Sequence, residues 1–307
     1  MTLPLGPYLA QVTPPAWDGI GHWGWPIPTY FSLGGVSAAS MLLLQWPGLL
    51  RSRLSVAQQR QVVLVQLLAL LLGSALLVLD LRRPERFLLL FVNFNSASIL
   101  AIGARLLTGL ILITLVRLWY LHRGQAAPRV FEWTSIGLEA AIILYPAALL
   151  FGMPRAAWAT PVLLLDFPVT AAIGGGAALL LLLGSAPLGG PRPLGWLAGL
   201  LLLEIVLLAA RLGLVAAVSA EGSKSVAAVV GGPYAPVFWG AQVVAGLVLP
   251  LTLLVWPGVV LSGEADPSAD GPGVPRRASA TGWRVRGSAA LILLGLVASK
   301  LLVVNAI

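Results

Sequence analysis

The chain has no cysteine, so it can form no disulfide, thiolate metal site or iron–sulfur cluster of its own. It has only two histidines, His22 ahead of the first apolar run and His122 at the end of the third. They fall at opposite ends of the spans and cannot supply the paired axial ligands of a membrane haem, so neither haem nor metal is expected. Charged residues make up 10% of the sequence, and it contains no Gly-rich phosphate loop, nucleophile elbow or dense carboxylate cluster. Catalysis confined to this chain has little support. Residues 1–25 carry no Lys or Arg and no short apolar core, which argues against a cleavable signal and makes the first span the anchor.

What the chain has in excess is apolar surface: 58% of its 307 residues are hydrophobic, and the mean hydropathy is +0.93. A soluble domain of this length could not bury so much. Crossing a hydrocarbon layer of roughly 30 Å takes about 20 helical residues. Runs near that length recur at 27–44, 62–81, 96–119, 134–152, 161–183, 194–219, 237–261 and 287–304. They are continuously apolar rather than alternating, which selects helices over a barrel. The expected fold is an all-α integral membrane protein with eight transmembrane helices, grouped as two four-helix bundles. A tail occupies 1–26 and the membrane domain 27–304. Residues 262–286, rich in Gly, Pro, Ser and Ala, are expected to form a flexible cytoplasmic loop.

Sorting the connecting charges by alternating sides puts Arg82, Arg83, Arg86, Arg155 and Lys224 with the N-terminal tail. Arg51, Arg53, Arg60, Arg117, Arg123, Arg129, Arg192, Arg276, Arg277, Arg284 and Arg286 go to the opposite side. The richer side should be cytoplasmic, with both termini outside, in a bacterial or archaeal cytoplasmic membrane. Basic cytoplasmic loops account for the net charge of +8 without nucleic acid.

Ionisable residues inside the spans are the positive signal, because each costs roughly 2.5 to 3.5 kcal/mol at the bilayer centre unless it finds a partner. Arg105, Asp166, Arg211 and Lys300 fall in the outer half, Glu139 and Glu204 in the inner half. Such a set could relay protons. Equally, Asp166–Arg211 or Glu204–Arg211 pairs could simply neutralise charge and lock helices together. The small residues of "YFSLGGVSAAS" and "AAIGGGAA" suit close helix packing. Trp23, Trp25, Trp119, Trp133, Trp158, Trp196, Trp256 and Trp283 cluster near span ends as an interfacial belt.

One stretch breaks the apolar pattern: "LDLRRPERFLLLFVNFN", residues 79–95. Asp80, Leu81, Arg83, Pro84, Arg86 and Phe87 match a D-L-x-R-P-x-R-F element, and Phe94, Asn95, Ser98 and Gly103 an F-N-x-x-S-x-x-x-G element. With "YPAALL" from Tyr145, "PVFWGAQVVAGLVLPL" from Pro236, the Glu204 to Arg211 stretch and the helix count, the chain resembles the NrfD/polysulfide-reductase membrane-subunit family.

The resemblance implies a menaquinone- or ubiquinone-binding anchor that exchanges electrons with a partner iron–sulfur subunit. That partner serves a molybdopterin or multihaem catalytic subunit. Carried over by position, Tyr145 would hold the quinone, with Thr29 or Tyr30 of the first helix, Asp80, Arg86 and His22 nearby. A histidine that some relatives carry in the first helix is absent here. Arg82, Arg83, Glu85 and Arg86 would dock the iron–sulfur partner. Two rival classes remain open on the sequence: a structural anchor without quinone chemistry, and a secondary transporter, which should show inverted repeats that are not evident.

Overall fold

The computed structural model of the protein describes residues 24–45, 54–80, 99–152, 158, 160–185, 188, 191–255 and 278–305. Eight of its helices are long and apolar enough to cross a membrane. They are α1 (Pro26–Gln45), α2 (Val56–Asp80), α3 (Ile99–His122), α4 (Arg129–Phe151), α5 (Val162–Leu183), α6 (Pro191–Val218), α8 (Pro236–Val255) and α9 (Ala278–Asn305), with a short α7 (Ala220–Val230) before α8. Every regular element among the described residues is helical, so the chain is an all-α membrane protein. Successive spans reverse direction. Gln45, His122 and Val255 therefore mark one face of the slab, and Asp80, Phe151, Val218 and Asn305 the other.

Helix ends depart from the sequence expectation where polar residues carry a helix beyond its apolar run. α2 starts at Val56 rather than 62 because Ser55 and Gln58 form a capping box. The Gln58 backbone N–H donates to Ser55 Oγ at 3.3 Å, and the Ser55 N–H donates to Gln58 Oε1 at 2.9 Å. α9 begins at Ala278, so residues 278–286 of the expected flexible loop are helical, while 262–277 lie outside the described residues. α7, which the apolar pattern does not reveal, is capped by Ser219 Oγ accepting from the Gly222 N–H at 2.9 Å.

The centre is built around α1, which packs on α2, α4, α5 and α9; α5 in turn packs on α4, α6 and α9. Glycine makes the approach possible. A Cβ on Gly175 of α5 would stand 2.6 Å from Ser40 N and 2.8 Å from Ala39 C of α1, so no other residue fits without moving a helix. A Cβ on Gly246 of α8 would likewise stand 2.6 Å from Gly295 Cα of α9. Outward, Leu68, Leu71, Leu112, Leu202 and Val206 are exposed, as lipid contact requires.

Three local irregularities accompany the packing. Pro146 sits inside α4, and Pro168, which the sequence reading did not single out, inside an unbroken α5. Pro236–Val248 of α8 is wound as a π-helix, a form often found at functional positions. Trp25, Trp119, Trp133, Trp196 and Trp283 are exposed near span ends, as a belt should be. Trp158 departs from it: the ring is 1% exposed and its Nε1–H donates to Val303 O of α9 at 2.7 Å. Beside it, Asn305 Nδ2 donates to Gly24 O at 3.0 Å, joining the end of α9 to the start of α1.

Gly295→Ala should lower the melting temperature of the detergent-solubilised protein, because overpacking costs roughly 1–3 kcal/mol. Gly287→Ala, whose Cβ meets nothing within 4 Å, should hold or raise it. Equal melting temperatures would contradict the close α8–α9 crossing.

Candidate functional site

Two buried polar clusters and one tyrosine site emerge. In the first cluster α5 contributes Asp166, α6 Glu204 and Arg211, and α9 Lys300, all at most 3% exposed. Arg211 Nη1 lies 3.4 Å from Asp166 Oδ1 and Lys300 Nζ 3.5 Å from Asp166 Oδ2. Lys300 Nζ also donates to Thr170 Oγ1 at 2.7 Å and stands 3.6 Å from the centre of the Phe167 ring, a cation–π contact. Of the two pairings that the sequence left open, Asp166–Arg211 is the one formed. Neither carboxylate oxygen of Glu204 accepts a hydrogen bond from a described residue, and the Glu204 carboxyl lies within hydrogen-bonding reach of that of Asp166. Two acidic and two basic side chains thus share a site where water is scarce and each charge needs compensation.

The second cluster lies toward the Gln45 face. Glu139 of α4 is fully buried. It accepts from Gln45 Nε2 at 2.7 Å on both carboxylate oxygens and from Ser135 Oγ at 2.7 Å. Arg117 Nη1 of α3 stands 3.8 Å away, and Arg117 Nη2 also donates to Gln45 Oε1. Arg117, which the charge sorting assigned to a connection, therefore turns inward from the last turns of α3. Gln45 and Arg117 also line a pocket on this face, together with Gln59, Tyr120, Gln125 and Glu132.

The third site is nearer the Asp80 face. Tyr145 of α4 and Tyr30 of α1 are buried in one cluster. A side chain on Gly103 of α3 would collide with the Tyr145 ring, and Gly73 of α2 gives way to Tyr30, whose Cδ2 would be 3.4 Å from a Cβ there. Thr29 Oγ1 is spent on its own helix, donating to Trp25 O at 2.8 Å. Asp80 is the last residue of α2, on the face where α3 begins, and Arg105 lies half-buried two turns into α3. His22, Arg82, Arg83, Glu85, Arg86, Phe94 and Asn95 lie outside the described residues.

The single relay suggested by the sequence thus becomes two separate networks, with Glu139 in one and Asp166, Glu204, Arg211 and Lys300 in the other. Gln45, Ser135, Thr170, Gln242 and Ser299 were missed. Neutral polar side chains carry no charge signal, and each reaches its cluster only through the fold.

A polytopic membrane subunit with charged groups held deep between its helices is the class these features define. The model of the polysulphide reductase NrfD family matches residues 18–264, and the chain belongs to that family. No curated protein matches it significantly. The family consists of membrane subunits of oxidoreductase complexes, which implies catalytic and iron–sulfur partners. The match takes in α1 to α8 and stops short of α9, which brings Ser299 and Lys300.

Asp166→Asn would strand two buried cations, and thermal melts should show a loss of roughly 3–5 kcal/mol. Adding Lys300→Met should recover part of that loss, giving a non-additive double-mutant cycle. Strict additivity would mean that the two side chains are not a functional pair.

Proposed function

We propose that this chain binds quinone or quinol near the Asp80 face and exchanges electrons between the membrane pool and an iron–sulfur partner. That partner hands them to, or takes them from, a molybdopterin or multihaem subunit. The observation that carries the reading is the contact of Tyr145 with Gly103. The glycine belongs to the F-N-x-x-S-x-x-x-G element and the tyrosine to the Tyr-Pro of α4, so two separately recognised elements meet at one buried place. Phenolic O–H groups on an otherwise apolar wall suit the carbonyl oxygens of a quinone ring, and Tyr30 from α1 offers a second one.

Electron exchange with quinol must be matched by proton movement, and the residues of this chain are suited to that part. Tyr145 and Tyr30 orient the ring. Asp80, at the mouth of α2, accepts a proton at its carboxylate. Arg82, Arg83, Glu85 and Arg86 follow it directly in sequence and give the partner a charged docking edge, where fork-shaped guanidinium groups grip carboxylates. This assignment puts the Asp80 face and both termini outside. Glu139 and the Asp166–Glu204 cluster are the carboxylates through which proton transfer could be coupled to turnover.

In the native complex, Tyr145→Phe and Asp80→Asn should each lower quinol-dependent turnover about tenfold, the worth of one buried hydrogen bond. Copurification of the iron–sulfur subunit should be unaffected. Wild-type turnover and unchanged quinone-site inhibitor binding in both variants would defeat the quinone assignment. Reversal of Arg83 to Glu should instead release the partner, read as lost iron and molybdenum in the eluate of a mild-detergent pull-down.

A further inference from the structure

Among the described residues, Glu204 is the one buried carboxylate that the ion pairs leave out. It borders a small cavity between α5, α6, α8 and α9, whose polar lining is Thr170, Glu204, Gln242 and Ser299. Three oxygens here receive no hydrogen bond from a described residue: Glu204 Oε1, Glu204 Oε2 and Gln242 Oε1. All three are acceptors when Glu204 is ionised. Gln242 Nε2 donates to Ser299 Oγ at 3.3 Å, which fixes the amide so that its carbonyl oxygen is the free end and leaves the Ser299 hydroxyl proton available. Thr170 Oγ1 is already engaged by Lys300.

We infer that this half-open cavity between the helices is a hydration site, in which one water donates to Glu204 and Gln242 Oε1 and accepts from Ser299. A buried water needs roughly 10–15 Å³ of space for its centre and two to four polar partners. The cavity offers about 20 Å³ and three partners. Unsatisfied buried acceptors are costly, and one water, with two protons to donate, removes the cost at two of the three. The π-winding of Pro236–Val248 is part of the construction. It contains both Gln242 and Gly246, and the Gly246–Gly295 contact brings Gln242 of α8 against Ser299 of α9. Gln242 is therefore a positioning residue for the water.

The water makes Glu204 a proton-exchanging carboxyl. Among the charged groups around it, Asp166 on α5 is paired with Arg211 on α6 and Lys300 on α9 and also lies within hydrogen-bonding reach of the Glu204 carboxyl, while the described part of α8 contributes no charge. With Glu204 ionised the four side chains sum to zero; a proton relayed through the water, which takes one up from the aqueous phase as it gives one to Glu204 and so ends neutral, raises the sum by one. The site rests on the proton-coupled part of the function proposed above, but it can be tested without turnover.

The test combines a water-resolving map of the full chain in its complex with infrared hydrogen–deuterium exchange on wild type, Glu204→Gln and Gln242→Leu. The expected map shows one peak between Glu204, Gln242 and Ser299. The expected infrared signal is the carbonyl band of protonated Glu204, which grows in as pH is lowered, is removed by Glu204→Gln, and shifts promptly in D2O. In Gln242→Leu, loss of one hydrogen bond should slow that shift about tenfold; Gln242→Met serves if the leucine variant fails to fold. An empty cavity, a peak with short cation-like contacts, or exchange unchanged by both Gln242 variants would overturn the inference. Quinol turnover lost in Tyr145→Phe alone would bear on the quinone site and leave this one standing.

Discussion

The structure turns on the compensation of Asp166. A carboxylate in hydrocarbon is untenable by itself, and here it is held by Arg211 from α6 and Lys300 from α9, at 3.4 and 3.5 Å. Three helices are thereby tied at one depth. Lipid gives no hydrophobic reason for helices to associate, so such a tie, together with close backbone contact, has to supply the specificity. The glycine crossings of α5 on α1 and of α8 on α9 bring the helices near enough for short side chains such as Thr170 and Ser299 to take part.

Glu139 follows the same logic in a different setting. It is fixed by Gln45 and Ser135 with Arg117 close by, next to a pocket at the Gln45 face. The two clusters draw on different helices: α1, α3 and α4 for Glu139, and α5, α6 and α9 for Asp166. Tyr30 and Tyr145 share helices with the first cluster but lie toward the opposite face. Any coupling between quinone chemistry and the Asp166 cluster has two short routes, through α1, which contacts α4, α5 and α9, and across the direct α4–α5 contact.

Much of this was legible in the sequence, for physical reasons. Long apolar runs have only one stable form in lipid, so the helical class and the eight spans could be read directly. The ends could not, because hydropathy falls where Ser55 and Gln58 begin α2 and where α9 runs back to Ala278. The buried ionisable residues stood out against their surroundings, and the tyrosine of the Tyr-Pro element was marked by its motif. Gln45, Gln242 and Ser299 were not, since a neutral polar residue in a span costs little and gains its role only from a neighbour on another helix. Nor does local sequence reveal that Gln242 lies on a π-wound segment, or that Trp158 leaves the interfacial belt to bond Val303.

The position of Lys300 on the last span has a consequence for biogenesis. Asp166, Glu204 and Arg211 enter the membrane with α5 and α6, and together they carry one uncompensated negative charge if both carboxyls are ionised. Only when α9 is inserted does Lys300 bring the balance to zero, and the same helix delivers the Trp158 and Asn305 contacts that join its end to α4–α5 and α1. A chain halted before α9 would hold an excess acidic charge among its helices and lack the contacts that close the assembly. Insertion of the eighth span thus acts as a completion step that a membrane quality-control protease could distinguish from a finished subunit.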